Sequence, residues 1–493
     1  MIFTDHPSLN RFKLSLIAAV VLLLGGCATL SRDGGFGAVA NVAKERLAKD
    51  AQWVRSASDA DGVQASVKKL LAQPLTVDDA IQVALLNNRG LQAIYAEVGI
   101  AEADVVQAGR LRNPIFGFTN VRGGGALEID RTLGFDFLQF LTIPLAKRIE
   151  TRRFEQIKLL VANDVLRVAA ETRKVYFQAV AAQESVRFAD QVKIAAEAGG
   201  QLAERMARAG NFSKLDQARE QVFYADAAAQ FARAQQVATS EREKLTRLIG
   251  LWGEDIRFQL PERLPALPAA RPQLQDLEAF AMAQRLDIQA ARRQSEGLAS
   301  SLGLTKATRF INVLELGASQ VRGPGEPVRN GYQISLEIPL FDWGGARIAR
   351  AEAIYMQSVN RLAETAVNAR SEVRASYSDY VSMYDLAKHY RDEVVPLRKK
   401  ISEELLLRYN GMLVSVFELL ADSREQIASV NASIDALKSF WIAETELQMA
   451  LGGRLPTTAM SNAPAPDVPP PVEAKPAQPN MGTDPHSQHR KGN

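Results

Sequence analysis

Few side chains in this 493-residue chain could do covalent or metal chemistry: there is one cysteine and there are four histidines. Cys27 closes the run Leu24-Gly25-Gly26-Cys27, and a lone thiol cannot form an intrachain disulfide. His6 lies ahead of it, and His486 and His489 fall in a proline-rich tail too sparse in ligands to read as a metal site. His389 stands beside Lys388 and Arg391 in a long helical pattern and reads as a solvated residue. There is no GxGxxG after a strand, no phosphate-binding loop and no HExxH, and the carboxylates fall at helix-surface spacings. These features argue against an enzyme, and no cofactor is expected. The net charge is +3, with bases alternating with acids along helices, so nothing points to nucleic acid.

The one reactive side chain is set by the segment before it. Arg11 and Lys13 are followed by the apolar run Leu14 to Leu24 and then by Cys27. About eleven apolar residues make a secretory signal, since a spanning helix needs roughly twenty. The stretch resembles the lipobox of bacterial lipoproteins, which implies that Cys27 is acylated, palmitate included, and becomes the mature N-terminus. Ala28 after the cysteine, where an inner-membrane retention signal often has Asp, favours the outer membrane. Residues 1–26 are then the signal peptide and 27–74 a polar, alanine-rich lead-in that wraps another part of the molecule.

Two kinds of element fill the rest. Gly331 to Leu340 alternates, with Ile334, Leu336 and Ile338 on one side and Gln333, Ser335 and Glu337 on the other. That period of two predicts a strand ending near Pro339. From Arg347 onward, Ile348, Ala351, Tyr355, Val359 and their successors to Ala387 follow in helical steps. Pro114 to Val121 and Leu133 to Leu145 predict an earlier strand pair, and Ile311 to Val321 a partner for the strand at 332–340. Arg122-Gly123-Gly124-Gly125 and Gly323 to Pro327 supply the turns. Leu75 to Arg112 predicts one helix capped by Thr76. Gly199-Gly200, Gly210-Asn211 and Asn410-Gly411 predict breaks that fold the long helices into hairpins.

The chain also matches itself at an offset of about two hundred. Leu91-Gln92-Ala93 falls on Ile288-Gln289-Ala290, and Ile143-Pro144-Leu145 on Ile338-Pro339-Leu340. Glu171-x-Arg173-x-x-Tyr176 falls on Glu372-x-Arg374-x-x-Tyr377, and Gly210 on Gly411. Leu248-Ile249-Gly250 falls near Ala450-Leu451-Gly452. An internal duplication is expected, with repeats over 75–250 (strands about 114–145, helical hairpin 146–250) and 274–452 (strands about 311–340, hairpin 347–452). A linker covers 251–273, and a proline-rich tail expected to be disordered covers 453–493. Each strand has the length to cross an outer membrane when tilted, but four strands cannot satisfy their edges in lipid, so closure needs several copies.

The duplicated strand–strand–helix plan, the IPLFDWGGAR junction, the RxxAGNFSKLD stretch and the lipobox together resemble the TolC family, in particular its lipid-anchored outer-membrane efflux factors. The resemblance implies an α+β membrane protein. Three protomers with four strands each would close one twelve-stranded barrel, continued by an α-helical coiled-coil tunnel through the periplasm. It further implies a homotrimer in outer-membrane lipid, a periplasmic adaptor (membrane fusion) protein and an inner-membrane transporter of the proton-driven type. Gln333, Ser335 and Glu337 are expected to face the barrel lumen, as is Asp136, although Phe140 interrupts the pattern in the first repeat. The family pattern Tyr-x-x-Gly-x-x-Ser-x-x-Asp-x-x-x-Ala matches Gly210, Ser213 and Asp216. In the second repeat it matches Tyr409, Ser415 and Glu418 only if Met412 takes the glycine position; Ala421 then falls at a frequent second Asp. Asp216 and Glu418 are thus candidates for the pore constriction, with Arg205, Arg208 and Arg408 as partners that would hold it closed. Two other readings stay open: the exit duct of a type I protein-secretion system, and a coiled-coil periplasmic scaffold lipoprotein. The solute is not legible.

Overall fold

The computed structural model describes residues 30–123, 126–271, 274–310 and 313–455. Cys27, the signal segment, and the tail with His486 and His489 lie outside the described residues.

Helix starts are set by short polar caps. The lead-in forms α1 (Gly37–Leu47) and α2 (Ala57–Leu71), the latter opened by a capping box between Ser56 and Asp59. Thr76 accepts a hydrogen bond from the Asp79 N–H and opens α3 (Val77–Asn87), as its sequence position predicts. Then come α4 (Arg89–Ala108), β1 (Ile115–Gly123), β2 (Ala126–Asp136), α5 (Phe137–Arg208) and α6 (Lys214–Leu248). After a 3-10 turn at Gly253–Arg257 come α7 (Leu277–Gln284), α8 (Leu286–Ala307), β3 (Leu314–Arg322), β4 (Arg329–Leu336) and α9 (Gly345–His389). A π-helical turn, Tyr390–Val394, leads into α10 (Val395–Asn410), and α11 (Val416–Ala450) returns. Pro396, which has no N–H to donate, accounts for the widened turn before it. The order helix, helix, strand, strand, long helix, returning helix therefore occurs twice.

Several expectations need correction. The helix expected over 75–112 is two helices, because Asn88 leaves helical geometry (ψ 115°) and its side chain caps α4 at the Leu91 N–H. The strand expected over 133–145 stops at Asp136. The Asp136 carboxylate accepts the Gln139 N–H at 3.0 Å and starts α5 there, so Ile143-Pro144-Leu145 is helical whereas Ile338-Pro339-Leu340 is not. In the second half Gly344 takes φ +75° and Asp342 accepts its N–H, which delays the helix to Gly345. Phe140 consequently belongs to a helix and no longer conflicts with strand alternation. Gly199-Gly200 does not break the chain: α5 runs unbroken for 72 residues, on the order of 110 Å. The helical contacts of so long a helix outweigh about 1 kcal/mol of glycine propensity at each position.

The segment 251–273 is not a bare linker. Phe258, Leu260, Leu264 and Leu267 are buried, Leu264 N–H donates to Glu184, and the Tyr384 hydroxyl donates to the carbonyls of Pro268 and Ala269. Two adjoining cores hold the helices together. In one, Phe36 of the lead-in packs edge-on against the fully buried Tyr95 (4.7 Å between centroids), with Val165, Leu166, Val180 and Leu245. In the other, Phe440 is enclosed by Tyr380, Tyr384 and Trp441. Burial pushes the Tyr380 phenol up to about 12. The lead-in does wrap the body: Arg46 donates to the Gly452 carbonyl at 2.6 Å, and Lys49 pairs with Asp78 at 3.1 Å.

The same latch closes both halves. Gly250 (φ +71°) follows the end of α6, where Asn87 and Asn88 donate to the carbonyls of Gly250 and Leu248 at 2.7 and 2.6 Å. Gly452 (φ +88°) follows the end of α11 and lies against the Gln284 carbonyl, beside Arg285, whose backbone (φ −65°, ψ 125°) nearly repeats that of Asn88 (φ −65°, ψ 115°).

Candidate functional site

The four strands form one antiparallel sheet in the order β1-β2-β3-β4, so β1 and β4 are its edges. Paired residues share a face, and the register separates two chemistries. On one face, Phe116 pairs with Leu133, Leu133 with Ala318 and Ala318 with Tyr332. Phe135, Leu316 and Ile334 form the next row, and all six of the large apolar side chains in these two rows are exposed. Opposite them, apart from Ile115, lie small and polar groups: the row Gly117, Thr132, Ser319, Gly331, then Ile115, Gly134, Gly317, Gln333, then Asp136, Glu315, Ser335. Gln333, Ser335 and Asp136 thus share the polar face, and Glu337 follows one residue past β4. Glu315, which the sequence reading passed over, joins Asp136 there; only the register between repeats brings the two together.

At the far end of the long helices the two turns are alike. Gly210 has φ +78° and Met412 has φ +58°, so Met412 does occupy the glycine's conformation despite its side chain. Three residues on, Ser213 caps the Asp216 N–H at 3.1 Å and Ser415 the Glu418 N–H at 3.4 Å. Both carboxylates lie in the first turn of a helix, where the macrodipole favours negative charge. Asp216 is held by the Ser213 hydroxyl at 2.5 Å and by Arg219 at 3.2 Å, whereas Glu418 is exposed and has no ion pair among the described residues. Two of the three arginines expected to neutralise them are engaged elsewhere in the chain. Arg208 pairs with Glu204 and Arg408 with Glu404, each one turn back on its own helix, and Arg205 has no ion-pair partner among the described residues.

The contact that joins α6 to α11 is one the sequence reading missed. Glu220, 3% exposed, pairs with Arg424 at 3.3 Å, and the guanidinium also lies over the Phe223 ring. Its signal was spacing: Glu220 follows Asp216 by four, and the buried Asp422 follows Glu418 by four. Burial raises the Glu220 pKa, and Arg424 partly opposes that. A folded-state pKa above the unfolded one means that the fold binds the proton more tightly. Stability from this group is therefore lost as pH rises out of the ordinary carboxylate range. Arg424→Ala strands the carboxylate and should cost about 2 kcal/mol at neutral pH, less than a fully buried pair because Arg424 is half exposed. Thermal unfolding of the solubilised protein should show a smaller loss near pH 4 and recovery in Arg424→Ala/Glu220→Gln. A pH-independent loss would show that packing on Phe223 is what matters.

No family model matches the chain. It is 25% identical to the cobalt-zinc-cadmium resistance protein CzcC of Cupriavidus metallidurans over 281 residues, 55% of this chain and 63% of CzcC, so it spans less than two thirds of that relative. It is 25% identical to the pyoverdine export outer membrane protein OpmQ of Pseudomonas aeruginosa over 489 residues, 90% of this chain and 96% of OpmQ. Among solved structures the outer-membrane channel OprN shares the fold, with a TM-score of 0.66 at 20% identity over 82% of this chain and 94% of OprN. The two-faced sheet and the paired helical hairpins are thus those of a fold shared with outer-membrane channels such as OprN, and the sequence is similar to that of OpmQ over nearly its whole length.

Proposed function

We propose that the chain is the outer-membrane exit duct of a tripartite efflux assembly. It acts as a homotrimer and receives solute from a periplasmic adaptor and an inner-membrane transporter of the proton-driven type. The observation that carries this reading is the sheet: in the rows nearest the helices one face is exposed and apolar, the other small and polar but for Ile115, and both edges are open. Unpaired strand edges are costly in lipid, and three copies of four strands close a barrel with none. The apolar face then meets lipid and the polar face lines water. The recurring element order and the latches at Gly250 and Gly452 support an internal duplication as its origin. The likeness to OpmQ, a pyoverdine export protein, supports export, and the likeness to CzcC, a cobalt-zinc-cadmium resistance protein, points to different solutes, which fits a duct whose pump does the selecting.

Lipid anchoring through Cys27 belongs to the same proposal. Ser31 donates its N–H to Glu102, and Gly35 packs on Phe154 of α5. The few residues from Cys27 to Leu30 can span about 10 Å. That is about the rise along α5 from Phe154 to Lys147, toward the sheet. Mild detergent extraction should yield a trimer that conducts ions in a planar bilayer, with a mature chain that starts at Cys27 and carries acyl mass. A monodisperse monomer without conductance would favour the coiled-coil scaffold.

A further inference from the structure

The start of α5 carries one continuous exposed stripe that changes character along its length. Phe137, Phe140, Leu141 and Pro144 come first, then Lys147, Arg148 and Thr151. Exposed rings and leucine suit lipid and not a water-filled bore, so this stripe faces outward in the duct proposed above, on which the inference rests. On the lipid-facing side of the sheet the row Phe118, Arg131, Gln320, Asn330 is polar in its last three members, Arg131 donating to Gln320 at 3.1 Å and Gln320 to Asn330 at 3.1 Å, with the exposed Phe118 ring beside them. Between that row and Lys147 the chain rises over strand residues 133–136 and helix residues 137–146. With strands tilted about 40° this rise is roughly 25 Å, the height of an outer-membrane apolar band. Lys147 and Arg148 therefore sit where periplasmic-leaflet headgroups begin.

A cavity opens at that level between α5 and α8, with a volume of ≈ 490 Å³. Lys147, Arg148, Thr151 and Arg152 line it from α5 and Arg293 from α8. Gly297 of α8 faces the base of the Arg152 side chain, where an added Cβ would lie 3.7 Å from the Arg152 Cβ. Glu296 takes up two of the cations, pairing with Arg152 and, at 3.1 Å, with Arg293. Glu155, also on the lining, is bound by Lys158 at 2.6 Å. Lys147 and Arg148 are left without a side-chain partner among the described residues, and the Nε of Arg152 is shielded from solvent and equally unpaired. Because β2 and β3 are the inner strands of the sheet, the helices joined to them lie away from the edges that must meet neighbouring copies. Trimer closure at β1 and β4 leaves this cavity open.

We infer that this cavity is a binding site for the phosphodiester of an anionic glycerophospholipid in the periplasmic leaflet, with Lys147 and Arg148 on the phosphate and the acyl chains along Phe140 and Leu141. Two cations around one phosphate form strong charge-assisted hydrogen bonds. The test is native mass spectrometry of the full-length protein titrated with short-chain phosphatidylglycerol, with conductance measured on the same preparations. Up to three retained lipids per trimer are expected, falling at least fivefold in Lys147→Gln/Arg148→Gln and preserved in Lys147→Arg/Arg148→Lys, with conductance intact in both. Equal lipid retention in wild type and the glutamine variant, both conducting, would overturn the site. Displacement of the lipid by millimolar inorganic phosphate would make it a free-anion site and overturn the lipid assignment. Wild-type protein that neither trimerises nor conducts would instead overturn the duct reading.

Discussion

Asp216→Ala/Glu418→Ala is expected to weaken block by a trivalent cation, applied from the periplasmic side, by roughly thirtyfold, and to lower cation selectivity in planar-bilayer recordings. In a trimer these two first-turn carboxylates recur around the threefold axis. Like charges about 8 Å apart repel by on the order of 2 kcal/mol at an effective dielectric near 20, and a trivalent ion seated among them regains about that much. A loss of about 2 kcal/mol is the thirtyfold. Glu418 should carry the larger part, because Asp216 is already compensated by Arg219 and the Ser213 hydroxyl. Unchanged block and selectivity in the double variant would show that the carboxylates do not line the entrance.

Gly250→Ala should destabilise the folded chain by about 3 kcal/mol. Its φ of +71° costs an alanine about 1 kcal/mol or more, and the new Cβ would lie 2.7 Å from the Asn87 carbonyl oxygen. Relief would pull apart the hydrogen bonds from Asn87 and Asn88 that close α6 onto the break between α3 and α4. Gly62→Ala is the matched control, since Gly62 sits within α2 with open space around it and should be neutral or slightly stabilised. A thermal midpoint that falls by several degrees for Gly250→Ala and holds for Gly62→Ala is the expected outcome; equal midpoints would remove the latch from the stability of the fold.

The sequence shows the strands and the tip turns more clearly than the joints between them. Alternation at Ile334, Leu336 and Gln333, Ser335 is a local property of the chain, and so is the Ser-x-x-acid cap that places Asp216 and Glu418 in first helical turns. Even the Met412 conformation follows from the spacing to Ser415. The length of α5 was not legible, because Gly199-Gly200 is weak punctuation against the packing of a helix this long. The end of β2 depends on a single side chain, Asp136, turning back to cap the next residues. Glu315 beside Asp136, and Arg424 against Glu220, are contacts about two hundred residues apart that only the pairing of the two halves creates. Segment 251–273 was hidden for a simpler reason: its prolines look like a spacer, while the leucines between them are what bury it.

The polar face of the sheet has one more consequence. Its rows include Gly117, Gly134, Gly317 and Gly331, four positions with no side chain to project from that face. If that face lines the duct proposed above, its segments act as resistors in series, and a segment thinned of side chains contributes less to the total. The outer mouth should thus behave as a low-resistance nozzle: enlarging it further would leave the single-channel current almost unchanged, while a comparable widening at the two capped turns on the opposite end would set the flow.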